Sequence, residues 1–303
     1  MRQRLLAIAG ALVLVVVAVA VRGVLADGSG SGGGSSPKGK PVVACTPDLM
    51  AVCDALAADG KIAADPPALD LDGAAKPAAN VDGWITWDPA PGIAAIDAGQ
   101  AGDAKPWQVG RALGSSALAV AFRQGSSPSF PSTCTQVSFG WSCLNAAAGT
   151  GQGVGVGTGK TAESLARIYP VALALVPQDG DFTDLTTGQL ATLITSPAVG
   201  QRAFRAQLNT LQTAPGALGF LVGPAGAFAA ADKVTTIAPK GGGASVVVAY
   251  APRTGASASL GDDAFASDGV LAALREAGVE PGTGKLAGDE RAGDLYAVRQ
   301  KVG

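Results

Sequence analysis

The chain has 303 residues, 48% hydrophobic and only 15% charged, with a formal net charge of −2. That length allows one two-lobed protein or two small domains, and a mildly acidic balance without any basic run argues against nucleic acid as a partner. The absence of histidine removes the commonest general base, the imidazole metal ligand and Ser-His-Asp or Cys-His catalysis together, so a non-enzymatic protein with no metal and no cofactor is expected.

Arg2 and Arg4 precede an apolar run over residues 5–21, and residues 27–36 are almost only glycine and serine. A basic start and a hydrophobic segment make an export signal, and the Gly/Ser tract is a flexible tether. About 17 apolar residues lie at the lower limit for spanning a bilayer and exceed most signal-peptide cores. A retained membrane anchor over 1–26 with a tether over 27–40 is therefore preferred to a signal peptide cleaved after Ala26. Either way the rest of the chain is placed outside the cytoplasm.

Residues 41–45 (PVVAC) read as a short buried strand, with Thr46 as N-cap and Pro47 as first residue of the helix that follows. Leu49, Val52, Cys53 and Leu56 line one face of that helix, and Gly60 ends it. A short strand fits 67–71, and a clearer one covers 81–87 (VDGWITW). Residues 113–122 (LGSSALAVAF) form a near-continuous apolar strand, as expected where both faces of a sheet are covered. A Ser/Pro-rich crossing at 125–133 leads to a short helix at 141–148, a strand at 153–156 and a helix running to Leu175, which Pro170 should kink or divide. Thr186 and Gln189 form a capping box, with Leu185 and Leu190 as its staple, for a helix at 187–195. Helix restarts at Ser196-Pro197 with Phe204, Leu208 and Leu211 facing inward, and 217–231 is helical in part. Residues 245–250 (SVVVAY) are a buried strand; Ser267 and Asp268 cap a last helix through Glu276, closed by Gly278. This alternation predicts an α/β protein with a largely parallel sheet. The late strand is available to return to the first set, giving lobe I from 41–124 plus 245–303 and lobe II from 125–244.

Cys45, Cys53, Cys134 and Cys143 fall into two close pairs. An oxidising exterior favours disulfides, and of three possible connectivities Cys45–Cys53 with Cys134–Cys143 is preferred. Residues 157–161 (GTGKT) miss the P-loop pattern because Val154 stands where it needs glycine. Backbone N–H groups at this helix start, beside Thr158, Lys160 and Thr161, still suit an anionic oxygen; an ordinary capped turn with a solvated lysine is the alternative. Thr46, Ser115 and Ser116 offer hydroxyls at turns flanking strands, for a ligand or for local capping, and Trp87-Asp88 ends a strand before a Pro-rich loop. Asp179, Asp181 and Asp184 look like a calcium loop without its closing glutamate, so a solvated helix start is the better reading.

Several segments carry a family resemblance: PVVACTPDLMAVCDAL (41–56), VDGWITWDP (81–89), LGSSALAVAF (113–122), WSCLNAAAGTGQGVGVGTGKTAESLA (141–166), DLTTGQLATLITSP (184–197) and SDGVLAALREAGVEPG (267–282). The chain resembles extracytoplasmic solute-binding proteins of the type II periplasmic-binding fold, especially divergent actinobacterial members near the molybdate/sulfate-type group. The resemblance implies two α/β lobes joined by crossing strands, closing on a small ligand. It places Thr46, Trp87, Asp88, Ser115 and Ser116 on the first-lobe side of the ligand and Thr158, Lys160 and Thr161 on the second. The expected function is capture of a small ligand, an anionic one by the chemistry of the 158–161 turn, for an ABC transporter. The alternative is a module of the same fold that binds a protein or envelope component and no small molecule.

Overall fold

Short, fully buried apolar runs make the strands: β1 Val43–Cys45, β2 Gly83–Trp87, β3 Arg111–Arg123, β4 Val154–Gly155, β5 Phe220–Pro224, β6 Val234–Ile237, β7 Ser245–Pro252 and β8 Glu280–Pro281. The computed structural model describes residues 39–302 except 109, 127–133, 136–137, 158, 177–180, 186–187, 189, 191–202, 215, 217, 241–243 and 257–258. Strand order is β1-β2-β7-β3-β5-β4, with β6 and β8 also pairing with β3.

The sheet is mixed, which corrects the expectation of a largely parallel one. Among the described strands β1–β2 and β4–β5 are parallel, whereas β7 runs antiparallel to β2, and β3 antiparallel to β5, β6, β7 and β8. A continuous apolar run reports burial on both faces, and either strand direction supplies that. β3 is shared along its length. Arg111 to Ala117 pair with β7, while Leu118 to Arg123 pair with β5 and β6.

The helices are α1 Met50–Ala58, α2 Leu71–Ala74, α3 Ala90–Gln100, α4 Ser142–Gly149, α5 Ala162–Leu173, α6 Phe204–Thr213, α7 Ala225–Ala229, α8 Asp268–Glu276 and α9 Asp289–Val302. α8 follows its sequence closely: the Ser267 side chain accepts from Val270 N at 3.3 Å, and Val270, Ala273 and Leu274 are buried where α8 packs on α1. Gly278 closes it at φ +85°, where a Cβ would also lie 2.7 Å from Ala227 N, so glycine is required twice over. α5 is not divided at Pro170 and runs on to Leu173. Proline there falls in the last turn, so the helix loses little of its hydrogen-bond ladder. Residues 217–231 contain strand β5 before the short helix α7, because Phe220, Leu221 and Val222 are buried as a continuous apolar run.

Disulfides join Cys45 to Cys53 and Cys134 to Cys143. The main core gathers Leu49, Leu56, Trp84, Ile85, Leu144 and Val248, and a smaller cluster of Ala119, Ala121, Phe204, Leu211, Leu221 and Phe228 packs elsewhere on β3 and β5. Trp84 and Trp107 lie in contact, ring centroids 5.4 Å apart. The anchor over 1–26, the tether over 27–40 up to residue 38, most of the 125–133 crossing, Thr186 and Gln189 of the capping box and most of the helix at 187–195 lie outside the described residues. Among the described residues no helix is long and apolar enough to cross a membrane.

Candidate functional site

Where β1 ends, the chain turns sharply. Thr46 N donates to Ile85 O at 3.0 Å, extending the parallel β1–β2 register by one residue. Pro47–Leu49 then form a single 3₁₀ turn in place of the expected first α-helical turn, and the Thr46 hydroxyl makes no capping bond. This turn carries Asp48 to the end of β2, where Trp87 Nε1 donates to Asp48 Oδ2. Burial, then the Glu163 carboxylate nearby, push the Asp48 carboxyl up to about 7, against the opposing effect of the Trp87 hydrogen bond.

The second half of the cluster comes from α5. Thr161 and Ser164 form its capping box: Ser164 N donates to Thr161 Oγ1 at 3.1 Å and Thr161 N to Ser164 Oγ at 3.2 Å. The i, i+4 spacing puts Glu163 and Arg167 on one face of the helix, and both are buried. Glu163 Oε2 accepts from Phe204 N at 3.3 Å. Arg167 Nη1 donates to Gln207 Oε1 and to Val222 O, each at 3.0 Å, and its guanidinium lies 5.2 Å from the Phe204 ring centre. Arg167 Nη2 is 4.0 Å from Glu163 Oε2, and Nη2 and Nε have no hydrogen-bond partner among the described residues. Burial lowers the Arg167 pKa, opposed by Glu163 and then Asp48. Asp70 ties the two parts together, its Oδ1 accepting from Leu71 N at 2.8 Å and Ala162 N at 2.9 Å; burial raises its carboxyl pKa against those two bonds. Acidic, cationic and amide side chains from α5, α6 and the ends of β1 and β2 thus lie together in buried surroundings.

The expected site residues divide. Thr46 is fully buried, and its hydroxyl and that of Thr86, its neighbour across β1–β2, have no hydrogen-bond partner among the described residues. Trp87 lies in the cluster through Asp48. Asp88 is held elsewhere: its Oδ2 accepts from Ala287 N at 2.6 Å, burial raises its pKa against that bond and the charge of Arg291, and it borders a pocket of about 160 Å³ with Trp107 and Gln108. Ser115 and Ser116 stand inside β3 and not at a turn, because the strand runs unbroken from Arg111 to Arg123. The Ser115 hydroxyl meets Thr283 Oγ1 at 2.8 Å, and Ser116 Oγ accepts from Gly226 N at 3.3 Å. Thr161 serves as the α5 cap, Lys160 is exposed beside it, and Thr158 lies outside the described residues. Sequence reasoning missed Asp70, Glu163, Arg167 and Gln207. Its available signal was a charged i, i+4 pair set in the otherwise apolar face of α5.

No protein-family model and no curated protein matches the sequence. Solved structures do match. A ferric binding protein from Campylobacter jejuni aligns at TM-score 0.53 and 10% identity, over 87% of this chain and 97% of its own. A periplasmic thiamin binding protein aligns at TM-score 0.52 and 11% identity, over 86% and 88%. At such identities the likeness concerns architecture: the chain has the mixed α/β fold of periplasmic binding proteins.

Proposed function

We propose that this chain is an extracytoplasmic solute-binding protein that captures a small ligand between two lobes, tethered to the membrane by residues 1–26 and serving an ABC transporter. The observation that carries this reading is the cluster of Asp48 and Trp87 with Glu163 and Arg167, which draws binding groups from both proposed lobes and leaves buried polar atoms unpaired. Lobe I is 41–124 plus 245–303 and lobe II 125–244, with the two crossings at 125–133 and at the entry to Ser245. The proposal extends to the type II class and, on the segments quoted above, to the neighbourhood of the molybdate/sulfate-type members. Two disulfides and the basic, apolar N-terminus support an extracytoplasmic place. A converging set of buried hydrogen-bonding groups supports binding.

A thermal-shift panel of metabolites tests this. A ligand at a hundred times its Kd stabilises the folded state by about 2.7 kcal/mol, which should raise the melting temperature by roughly 5 °C or more for a domain of this size. If no solute raises it, the chain is an interaction module on the same fold.

A further inference from the structure

A guanidinium offers two fork-shaped edges to planar acceptors, and the side-on edge consists of Nε–H with one Nη2–H pointing the same way. In Arg167 the Nη1 donors are engaged by Gln207 Oε1 and Val222 O. The side-on edge is vacant: Nε and Nη2 are both buried and both lack a hydrogen-bond partner among the described residues. The residue is 2% exposed, so water does not satisfy this edge from the surface.

Glu163 does not fill it. Glu163 Oε2 lies 4.0 Å from Nη2, beyond hydrogen-bond reach, and accepts instead from Phe204 N. Gly157 lies close by with φ +101°, and a Cβ there would stand 3.3 Å from Nη2 and 2.5 Å from Ser164 Cβ, so a side chain at this position would crowd the guanidinium. An arginine retained only to pack on Phe204 could be an apolar side chain at lower cost, and one retained to hold Gln207 and Val222 needs only Nη1. Two buried donors left unmade are a standing cost to the fold.

We propose that the side-on edge of Arg167 anchors a two-oxygen anionic group of the ligand, a carboxylate or a phosphate. The inference rests on the reading of the Asp48–Arg167 cluster as the ligand site, and it moves the anion anchor from exposed Lys160 to the buried arginine two turns into α5. The fork matches two oxygens at once, whereas an ammonium would meet them as a point charge.

Calorimetric titration of the full chain decides it, using matched pairs: small carboxylic acids against their primary amides, and phosphate monoesters against their parent alcohols. At least one acid or phosphate should bind about 10–100-fold more tightly than its neutral counterpart, and the series that binds names the group. Arg167→Lys, checked for folding by circular dichroism, should lose a similar factor toward the anion and little toward the neutral compound. Neutral partners binding as tightly as the anions, or anions binding equally well to Arg167→Lys, would overturn the assignment. The comparison in the wild-type protein stands even if the variant does not fold. Binding confined to neutral or cationic solutes overturns this inference and leaves the solute-binding reading intact; silence from every solute overturns both.

Discussion

Asp48→Asn should make the protein more stable at pH 8, by on the order of 4 kcal/mol, and leave it nearly unchanged at pH 4. The folded-state pKa of Asp48 is raised to about 7 from an ordinary value of 3.8, so between those values the folded protein holds a proton that the unfolded chain has released. Stability therefore falls as pH rises through this window and levels off above it, at about 1.4 kcal/mol per unit of separation. Glu163 and Asp70 disfavour the charged form, and Arg167 favours it. Asparagine cannot ionise, and its side-chain oxygen keeps the acceptor for Trp87. Urea unfolding of both proteins at pH 4, 6 and 8 measures the gap; a gap that does not widen with pH places the Asp48 carboxyl in an ordinary environment. A stabilising substitution is the signature expected of a group held for ligand and not for fold.

Arg167→Met should do the opposite and destabilise the protein by about 3–5 kcal/mol, the scale for breaking a buried ion pair by removing one partner. Methionine fills similar space against Phe204, but Glu163 then keeps a buried charge without its cation, and Val222 O loses this donor. Adding Glu163→Gln should recover at least half of the loss, because the amide carries no charge to bury. Chemical denaturation of the single and double variants gives both values. A loss below about 1 kcal/mol in Arg167→Met, on the scale of an exposed pair, would mean that the pair is solvated.

Much of the fold was legible because burial and capping leave local marks. The strands at 41–45, 81–87 and 245–250, the Ser267 cap with Gly278, and both disulfide pairings follow from apolar runs, hydroxyl positions and cysteine spacing. Strand direction was not, since β3 pairs antiparallel with four different strands through contacts far apart in sequence. The site was legible in part for the same reason. Thr46, Trp87 and the α5 start are marked by strand ends and a turn, while Arg167 finds Gln207 and Val222 only after α6 and β5 have folded against α5. The strand through Ser115 and Ser116 was legible, but the partners of their hydroxyls were not, since Thr283 and Gly226 reach them from far along the chain.

The central claim is that a small ligand enters between Asp48 and Arg167, and the indole of Trp87 reports on that place. Its Nε1–H bonds to Asp48, whereas those of Trp84 and Trp107 bond to the backbone oxygens of Leu69 and Ala74. The measurement is an amide- and indole-resolved nitrogen–proton NMR titration with the first solute that raises the melting temperature. The Trp87 indole resonance should move while those of Trp84 and Trp107 stay in place. Movement of Trp84 or Trp107 with Trp87 unchanged would put the ligand somewhere else and contradict the site.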